Sequence, residues 1–372
     1  MSKYWKNMEI NKNKKPSSSL FISQERLAFL VNKNYYTIDT SSENELTDEK
    51  IENISNFYQK NYSIDNETNV TQLMPSDIIR YNNIDAEILT IYVKSKFVGS
   101  IISCLVPVKI ITSLDTEILI ECSDRFNFVK SENSIIFGAT SFLVLDRKYR
   151  GKGLGMALIQ ESLQILYANG GLTAYFINSI SRCDNSIKLF YWYFPINLER
   201  LPSSIYPQNY RHLFQIGTLN SDMKTIKVNK DNIEESFLFY DSLIKKKRFV
   251  FAPSLLYWEK WIAAFPTYLV FKNNEAIGVF SFNSNTVRYP INRITILKGY
   301  LLSCIGKQPE TLQASLFTAK QFYDILEFTE TGDLNASLLS SISAQKYNKY
   351  KYINFFNTTI SLHSSDMYVP LF

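Results

Sequence analysis

Residues 134–180 do most to limit what this chain can fold into. Ser134 to Leu145 (SIIFGATSFLVL) is a long, nearly all-apolar run of strand composition. It ends at Asp146-Arg147-Lys148-Tyr149-Arg150, and Gly151-Lys152-Gly153-Leu154-Gly155 follows directly. Leu154 to Ala168 then places apolar residues at helical spacing and stops at Asn169-Gly170-Gly171, a glycine-rich helix end. Leu172 to Ile180 (LTAYFINSI) reads as the next strand. Strand, glycine-rich loop, helix and strand in this order predict an α/β fold of the α+β kind.

The flanking sequence extends the pattern. Glu52 to Tyr62 carries Ile54, Phe57 and Tyr58 at helical spacing. Ala86–Val93 and Phe97–Val106 read as strands joined at Lys94-Ser95-Lys96. The second half repeats the theme: helices over 231–243 and 255–264, a hairpin around Asn273-Asn274-Glu275, a buried strand over 294–304, and a helix over Glu310–Ile325. Closing strands are expected over 350–356 and 358–362. The recurring hairpin, long strand and helix suggest an internal duplication. The glycine-rich loop does not recur, because Leu302 to Glu310 holds one glycine.

That loop is suited to an anion. Glycines let backbone N–H groups turn toward it, and a helix N-terminus adds unpaired donors and a partial positive charge. Arg147, Lys148, Arg150 and Lys152 supply full charges. The spacing is neither the dinucleotide pattern G-x-G-x-x-G nor a Walker loop. The bland alternative is a glycine-rich β–α turn beside surface basics.

Composition excludes other classes. The chain has 372 residues, which suggests two domains at ~100–200 residues each. Hydrophobic residues are 45% and aromatics 15%, too many for a disordered chain. Forty Lys+Arg against thirty-five Asp+Glu gives +5, which is not the footprint of a dedicated nucleic-acid binder. Cys104, Cys122, Cys183 and Cys304 form no zinc-type pair, and His212 and His363 are the only histidines, so no metal is expected. The N-terminus opens no apolar leader, and the longest apolar stretch is too short to span a bilayer. The reading is a soluble, cytoplasmic protein with free thiols and without stable membrane insertion. Residues 6–19 read as a mobile polar arm. Lys245-Lys246-Lys247-Arg248 reads as a solvated helix end.

Arg150, Gly153 and Gly155 match the R-x-x-G-x-G/A loop of the GNAT acyltransferase superfamily, which implies binding of the acyl-CoA pyrophosphate. Over nearly its whole length the chain also resembles one branch of that superfamily, the N-myristoyltransferases. Lys3-Tyr4-Trp5-Lys6 is similar to the aromatic-Trp segment that covers the acyl-CoA there. Asn53–Tyr62 resembles the family's helix ending Asn-Glu-Asn-Tyr, and Val98–Ile110 its V-G-F-I-S-A-I-P-A-N-I strand. Ser141–Lys152 resembles N-F-L-C-V-H-K-x-L-R-S-K, and Tyr191-Trp192 falls on the family's Tyr-Trp. The resemblance implies two GNAT-like halves, each a mixed, mostly antiparallel sheet flanked by helices, in a saddle-like, pseudo-symmetric monomer. Residues 1–212 (with 1–35 as an arm) would bind acyl-CoA, and 213–372 would complete the acceptor groove.

The resemblance also implies site residues. The backbone amides of Phe142 and Leu143 would form an oxyanion hole, and the C-terminal carboxylate of Phe372 would act as base. Lys3, Tyr4, Trp5, Phe142, Leu143, Val144, Leu145, Arg150, Gly151, Lys152, Gly153, Leu154, Gly155 and Met156 would hold acyl-CoA, myristoyl-CoA above all. Tyr62, Ile177, Asn178, Ser179, Tyr193 and Leu371 would face an acceptor with a free N-terminal amine. The chain departs from the family on the acceptor side. The family's threonine falls on Ile177, followed by Asn178-Ser179 in place of Ala-Gly, and its histidine falls on Tyr193. Its Gly-Asp-Gly loop is replaced by Gln345-Lys346-Tyr347-Asn348-Lys349. The loop itself is nearer to ordinary GNAT acetyltransferases, so acyl length stays open. The alternatives are an acetyl-CoA-dependent N-acetyltransferase and a non-catalytic acyl-CoA- or peptide-binding protein.

Overall fold

The order of strands follows from where apolar runs alternate with turn residues that accept a left-handed backbone. The computed structural model describes residues 35–41, 46–62, 70–110, 134–169, 171, 173–178, 186–201, 218–289, 293–356 and 362–371. In the first half the strands are β1 (Thr37–Asp39), β2 (Val70–Gln72), β3 (Glu87–Val93), β4 (Lys96–Ile110), β5 (Ser134–Leu145), β6 (Thr173–Asn178) and β7 (Ile187–Pro195). The second half adds β8 (Met223–Lys227), β9 (Phe249–Phe251), β10 (Thr267–Lys272), β11 (Glu275–Tyr289), β12 (Ile294–Gly306), β13 (Ile325–Thr329), β14 (Gln345–Phe356) and β15 (Met367–Tyr368). The helices are α1 (Asp48–Asn61), α2 (Pro75–Asn83), α3 (Leu154–Ala168), α4 (Ile233–Ile244), α5 (Leu255–Ala264), α6 (Glu310–Ala319) and α7 (Ala336–Ser341).

Both hairpins turn through paired positive φ angles, at Lys94 and Ser95 (50° and 62°) and at Asn273 and Asn274 (52° and 65°). Such turns match the right-handed twist of the strands that they join. The fold is α/β with one large, mostly antiparallel sheet, in the order β1-β3-β4-β5-β6-β14-β7-β13-β12-β11-β10-β8. Only β5 with β6, β12 with β13 and β15 with β9 are parallel among the described pairs.

The repeat read from the sequence is visible in these pairings. β3, β4 and β5 pair antiparallel in turn, α3 crosses, and β6 returns parallel to β5. β10, β11 and β12 pair antiparallel in turn, α6 crosses, and β13 returns parallel to β12. The units then exchange strands: β14 pairs with β6, while β7 pairs with β13 and β14. A cut at residue 212, which lies outside the described residues, therefore separates β7 in sequence from its partners in the sheet.

The helices cover the sheet by period-two alternation. Leu154, Ala157 and Leu158 of α3 pack on Leu89, Ile91, Val98 and Ile101. The opposite face, with Ile102, Cys104, Phe137 and Tyr175, meets Tyr58 of α1, Ile78 of α2, Tyr240 of α4 and Trp258 and Trp261 of α5 in the largest core cluster.

The expected helix over Glu310–Ile325 is a correction. α6 stops at Ala319, and Ile325 opens the buried strand β13. Asp324 sets the change of direction: its carboxylate accepts from Leu297 N (2.9 Å) and pairs with Arg200 (3.0 Å). The expected strand at 358–362 falls mostly outside the described residues. No described helix is long and apolar enough to cross a membrane.

Candidate active site

The site is assembled at the end of β5. Asp146 caps the short 3₁₀ turn at Arg147–Tyr149 by accepting from Lys148 N (2.9 Å). Gly151 and Gly153 then adopt φ of 77° and 82°, a left-handed backbone that strains any L side chain. The backbone N–H groups of Lys152, Gly153, Leu154 and Gly155 take no hydrogen-bond partner among the described residues. No acidic side chain lies in the first turn of α3. A Cβ on Gly155 would sit 3.3 Å from Leu145 Cδ1, so the helix start packs closely on the strand end.

Arg150 has a role that charge alone did not suggest. Its Nε donates to Leu145 O (3.1 Å) and its Nη2 to Asn61 O (3.2 Å), tying the loop to the ends of β5 and α1. Lys152 lies over the Tyr149 ring at 4.9 Å.

Phe142 and Leu143 form a β-bulge. Ile102 pairs with Ser141 and Ser100 with Val144, so two residues of β5 face one of β4. Phe142 holds φ of 53°, which a non-glycine residue adopts only under constraint. The constraint is aromatic. The rings of Tyr58, Tyr62 and Tyr81 surround Phe142 at 6.2, 6.0 and 5.5 Å. The Tyr58 hydroxyl donates to the Phe142 carbonyl. Burial pushes the Tyr58, Tyr62 and Tyr81 hydroxyls above the ordinary phenol range, so they stay protonated donors. Leu143 is exposed, and Val144 is buried.

The bulge lies just beyond the last described pair of β5 and β6. β5 pairs with β6 only over Phe137–Thr140 against Thr173–Phe176. Beyond that, among the described residues, β6 continues through Ile177 and Asn178 paired with β14, and Val144 and Leu145 stay paired with β4. The amides at Phe142 and Leu143 and the loop at Gly151–Gly155 thus follow the point where the β5–β6 pairing ends.

The chain's last described residues lie against the same core. Met367 and Tyr368 pair with Phe249 and Val250 of β9, which pairs with β4. Val369 and Pro370 are buried, and the Tyr175 hydroxyl of β6 donates to Pro370 O (2.7 Å). Leu371, Ile177, Tyr62 and Phe142 all pack on one cluster. Phe372, Lys3, Tyr4, Trp5 and Ser179 lie outside the described residues, as does the Asn178 side chain.

Tyr193 leads to a buried polar network that sequence reasoning missed. It pairs across the sheet with Glu327, and its ring packs on Tyr347 at 4.6 Å. Glu327 accepts from Lys298 Nζ (2.8 Å) and from Tyr347 Oη (2.5 Å). Burial alone would raise the Glu327 carboxyl, but the Lys298 ammonium and the Tyr347 hydroxyl outweigh it and hold it below the ordinary range. Asn283 continues the polar face, donating to Tyr81 Oη (3.1 Å) and accepting from Arg80 Nη1 (2.8 Å). Tyr58, Tyr81, Tyr175 and Glu327 gave no sequence signal beyond helical or strand spacing.

The described cysteines and histidine stand apart. Burial raises the Cys104 thiol and pushes Cys304 up to about 12, so neither is a ready nucleophile. His363 is exposed beyond β14. Among the described residues, no group of three or more His, Cys, Asp or Glu could hold a metal ion.

A duplicated strand–strand–strand–helix–strand unit with exchanged closing strands is a specific architecture, and solved structures share it. Crystal structures of Saccharomyces cerevisiae N-myristoyltransferase with bound myristoyl-CoA match at TM-scores of 0.70 and 0.69 and 14% identity. The first match covers 94% of this chain and 89% of that one, and the second covers 95% and 85%. A third, with bound myristoyl-CoA and inhibitors, covers 92% and 84% at a TM-score of 0.69. No protein-family model matches the sequence, and no curated protein matches it. The chain therefore has the N-myristoyltransferase fold, which the sequence resemblance led us to expect.

Proposed function

We propose that this chain is an acyl-CoA-dependent N-acyltransferase that moves a fatty acyl group, myristoyl in the first instance, to an amine, the N-terminal glycine of a protein or peptide. The observation that carries the reading is the end of β5 beyond its pairing with β6, where a bulge held by three tyrosines is followed by a left-handed glycine loop. The loop amides, the α3 N-terminus and Lys152 would hold the pyrophosphate. The Phe142 and Leu143 amides would stabilise the oxyanion as the amine attacks the thioester carbon. The C–N bond forms, the C–S bond breaks, and CoA leaves as the thiol.

The amine's proton goes to the carboxylate of Phe372. An α-carboxyl near pKa ~3.5 and an α-amine near ~7.8 are mismatched in water, but burial raises the first and lowers the second. Tyr175 holding Pro370 O at 2.7 Å supports this reading, since it anchors the segment before Phe372 on the core that Phe142 and Leu371 also pack against. Residues 1–212 would bind the donor, with Lys3-Tyr4-Trp5 covering it, and 213–372 would complete the acceptor groove.

Native mass spectrometry of the purified chain, titrated with acetyl-, decanoyl- and myristoyl-CoA, tests the donor. Retention of C12–C16 acyl-CoA and transfer to a glycine-initiated peptide are expected. Binding of acetyl-CoA alone would favour the acetyltransferase, a reading that the GNAT-like loop Arg150–Gly155 keeps alive. Binding of no CoA would overturn both. Residues added after Phe372 should abolish transfer, and full activity in such a variant would refute the terminal base.

A further inference from the structure

We propose that Lys247, Asp333 and Tyr368 form a clamp that sets the register of the C-terminal segment, and so act as positioning residues for acyl transfer; this rests on the transferase reading above. Three separate stretches of chain meet here. Lys247 Nζ lies 3.0 Å from both Asp333 carboxylate oxygens and 3.0 Å from Tyr368 Oη. The Tyr368 hydroxyl donates to Asp333 Oδ1 (2.7 Å), and the ammonium sits 4.2 Å from the centre of the same ring. Gly332, at φ 58°, makes room, because a Cβ there would fall 2.7 Å from Tyr368 Cε1. Arg248 pairs with Asp366 at 3.4 Å beside it. Half of the basic run read as a solvated helix end is therefore turned onto the tail.

The clamp holds the tail in a slot that the repeat explains. β12 and β13 pair in parallel only up to Tyr300 and Glu327 and then part, as β5 and β6 do. β12 also bulges just beyond, between the pairs Phe282–Leu301 and Ser281–Ser303. Leu301, Leu302, Cys304, Thr331 and Leu334 line a narrow cavity there with Met367, Tyr368 and Val369. The tail thus packs where the strands of the second half part.

A partly exposed ion pair contributes little net stability. What the arrangement does fix is reach. Tyr368 and Pro370 are pinned on either side of buried Val369. A slip of one residue would move the terminus by ~3.3 Å, beyond the ~2.6–3.2 Å over which a base must meet its proton.

The test uses the 372-residue chain and the variants Tyr368→Phe and Asp333→Asn, each checked for a wild-type-like melting midpoint. Three quantities are read: release of Phe372 by carboxypeptidase, kcat for transfer from myristoyl-CoA to a glycine-initiated peptide, and myristoyl-CoA affinity. Both variants should release Phe372 at least tenfold faster and lose at least tenfold in kcat, with affinity within twofold of wild type. Unchanged release, or faster release with unchanged kcat, would overturn the clamp. Faster release from variants of a wild-type chain that transfers no acyl group would leave the tail lock standing and refute the transferase reading instead.

Discussion

Replacing Tyr58 with Phe separates the stability of the bulge from its chemistry. The ring is fully buried and would keep its contacts with Tyr62 and Phe142, so only the hydroxyl is lost. That hydroxyl donates to the Phe142 carbonyl, from a helix 84 residues away in sequence. An unpaired buried carbonyl costs ~1–3 kcal/mol. The left-handed backbone at Phe142 (φ 53°) itself costs ~1–2 kcal/mol. The two magnitudes are similar, so the hydrogen bond is what offsets the strain. Without it, relaxation of Phe142 to negative φ becomes competitive and turns the 142–143 amides away from a common point. Tyr58→Phe should therefore lower unfolding free energy by ~1–3 kcal/mol in urea. It should lower single-turnover transfer from myristoyl-CoA at least tenfold, with the ~10²–10³ cost of one lost oxyanion donor as the ceiling. Thiol release reports the rate, and acyl-CoA affinity should stay within about threefold. A chain that loses the expected stability yet transfers at the wild-type rate would show that the bulge amides take no part in the chemistry.

Other perturbations probe the remaining parts. Gly153→Ala forces an alanine to φ near 82°, a local cost of ~1–2 kcal/mol, and should weaken CoA binding about tenfold by calorimetry. Tyr175→Phe leaves the Pro370 carbonyl without its donor in a buried setting and should cost ~1–3 kcal/mol in urea unfolding. Glu327→Gln breaks a buried pair and should cost ~3–5 kcal/mol at neutral pH. Its acid-side signature follows from a carboxyl depressed in the folded chain. That contribution is present above the unfolded value near ~4.3 and fades as pH falls through the lower folded value. The wild-type slope of stability between pH 5 and 3, both approximate bounds, should thus be shallower in the variant.

How much of this was legible depended on whether a signal was local. Strand β5 and helix α3 were read to the residue, because a continuous apolar run, a glycine loop and a glycine stop each act within a few residues. Phe142 was singled out only through the family resemblance, and nothing local in the sequence predicts the bulge there. Its cause, the cage of Tyr58, Tyr62 and Tyr81, comes from two helices remote in sequence. Tyr58 looked like any core residue at helical spacing. β13 was lost to the helix before it, because four consecutive buried residues after an amphipathic stretch carry no period of their own. Tyr347 is a finer case. A shift of register between Lys346 and Tyr350 sends it to Glu327, whereas a uniform period-two strand would have left it among the tyrosines of β14.

The two repeats differ at the helix that follows the long strand. At the start of α6, the Glu310 carboxylate accepts from its own backbone N–H and pairs with Lys272 at 3.2 Å, which holds its carboxyl below the ordinary range. The helix N-terminus, with its partial positive charge, is thus met from within the chain. At the start of α3 the same position carries Leu154, Gly155 and Met156, with no acid in the first turn. The second unit therefore supplies its own anion at the helix, and among the described residues the first turn of α3 has none. An outside ligand with a diphosphate would supply one. This contrast does not depend on the 14% identity, and it supports the proposal that acyl-CoA binds in the first unit.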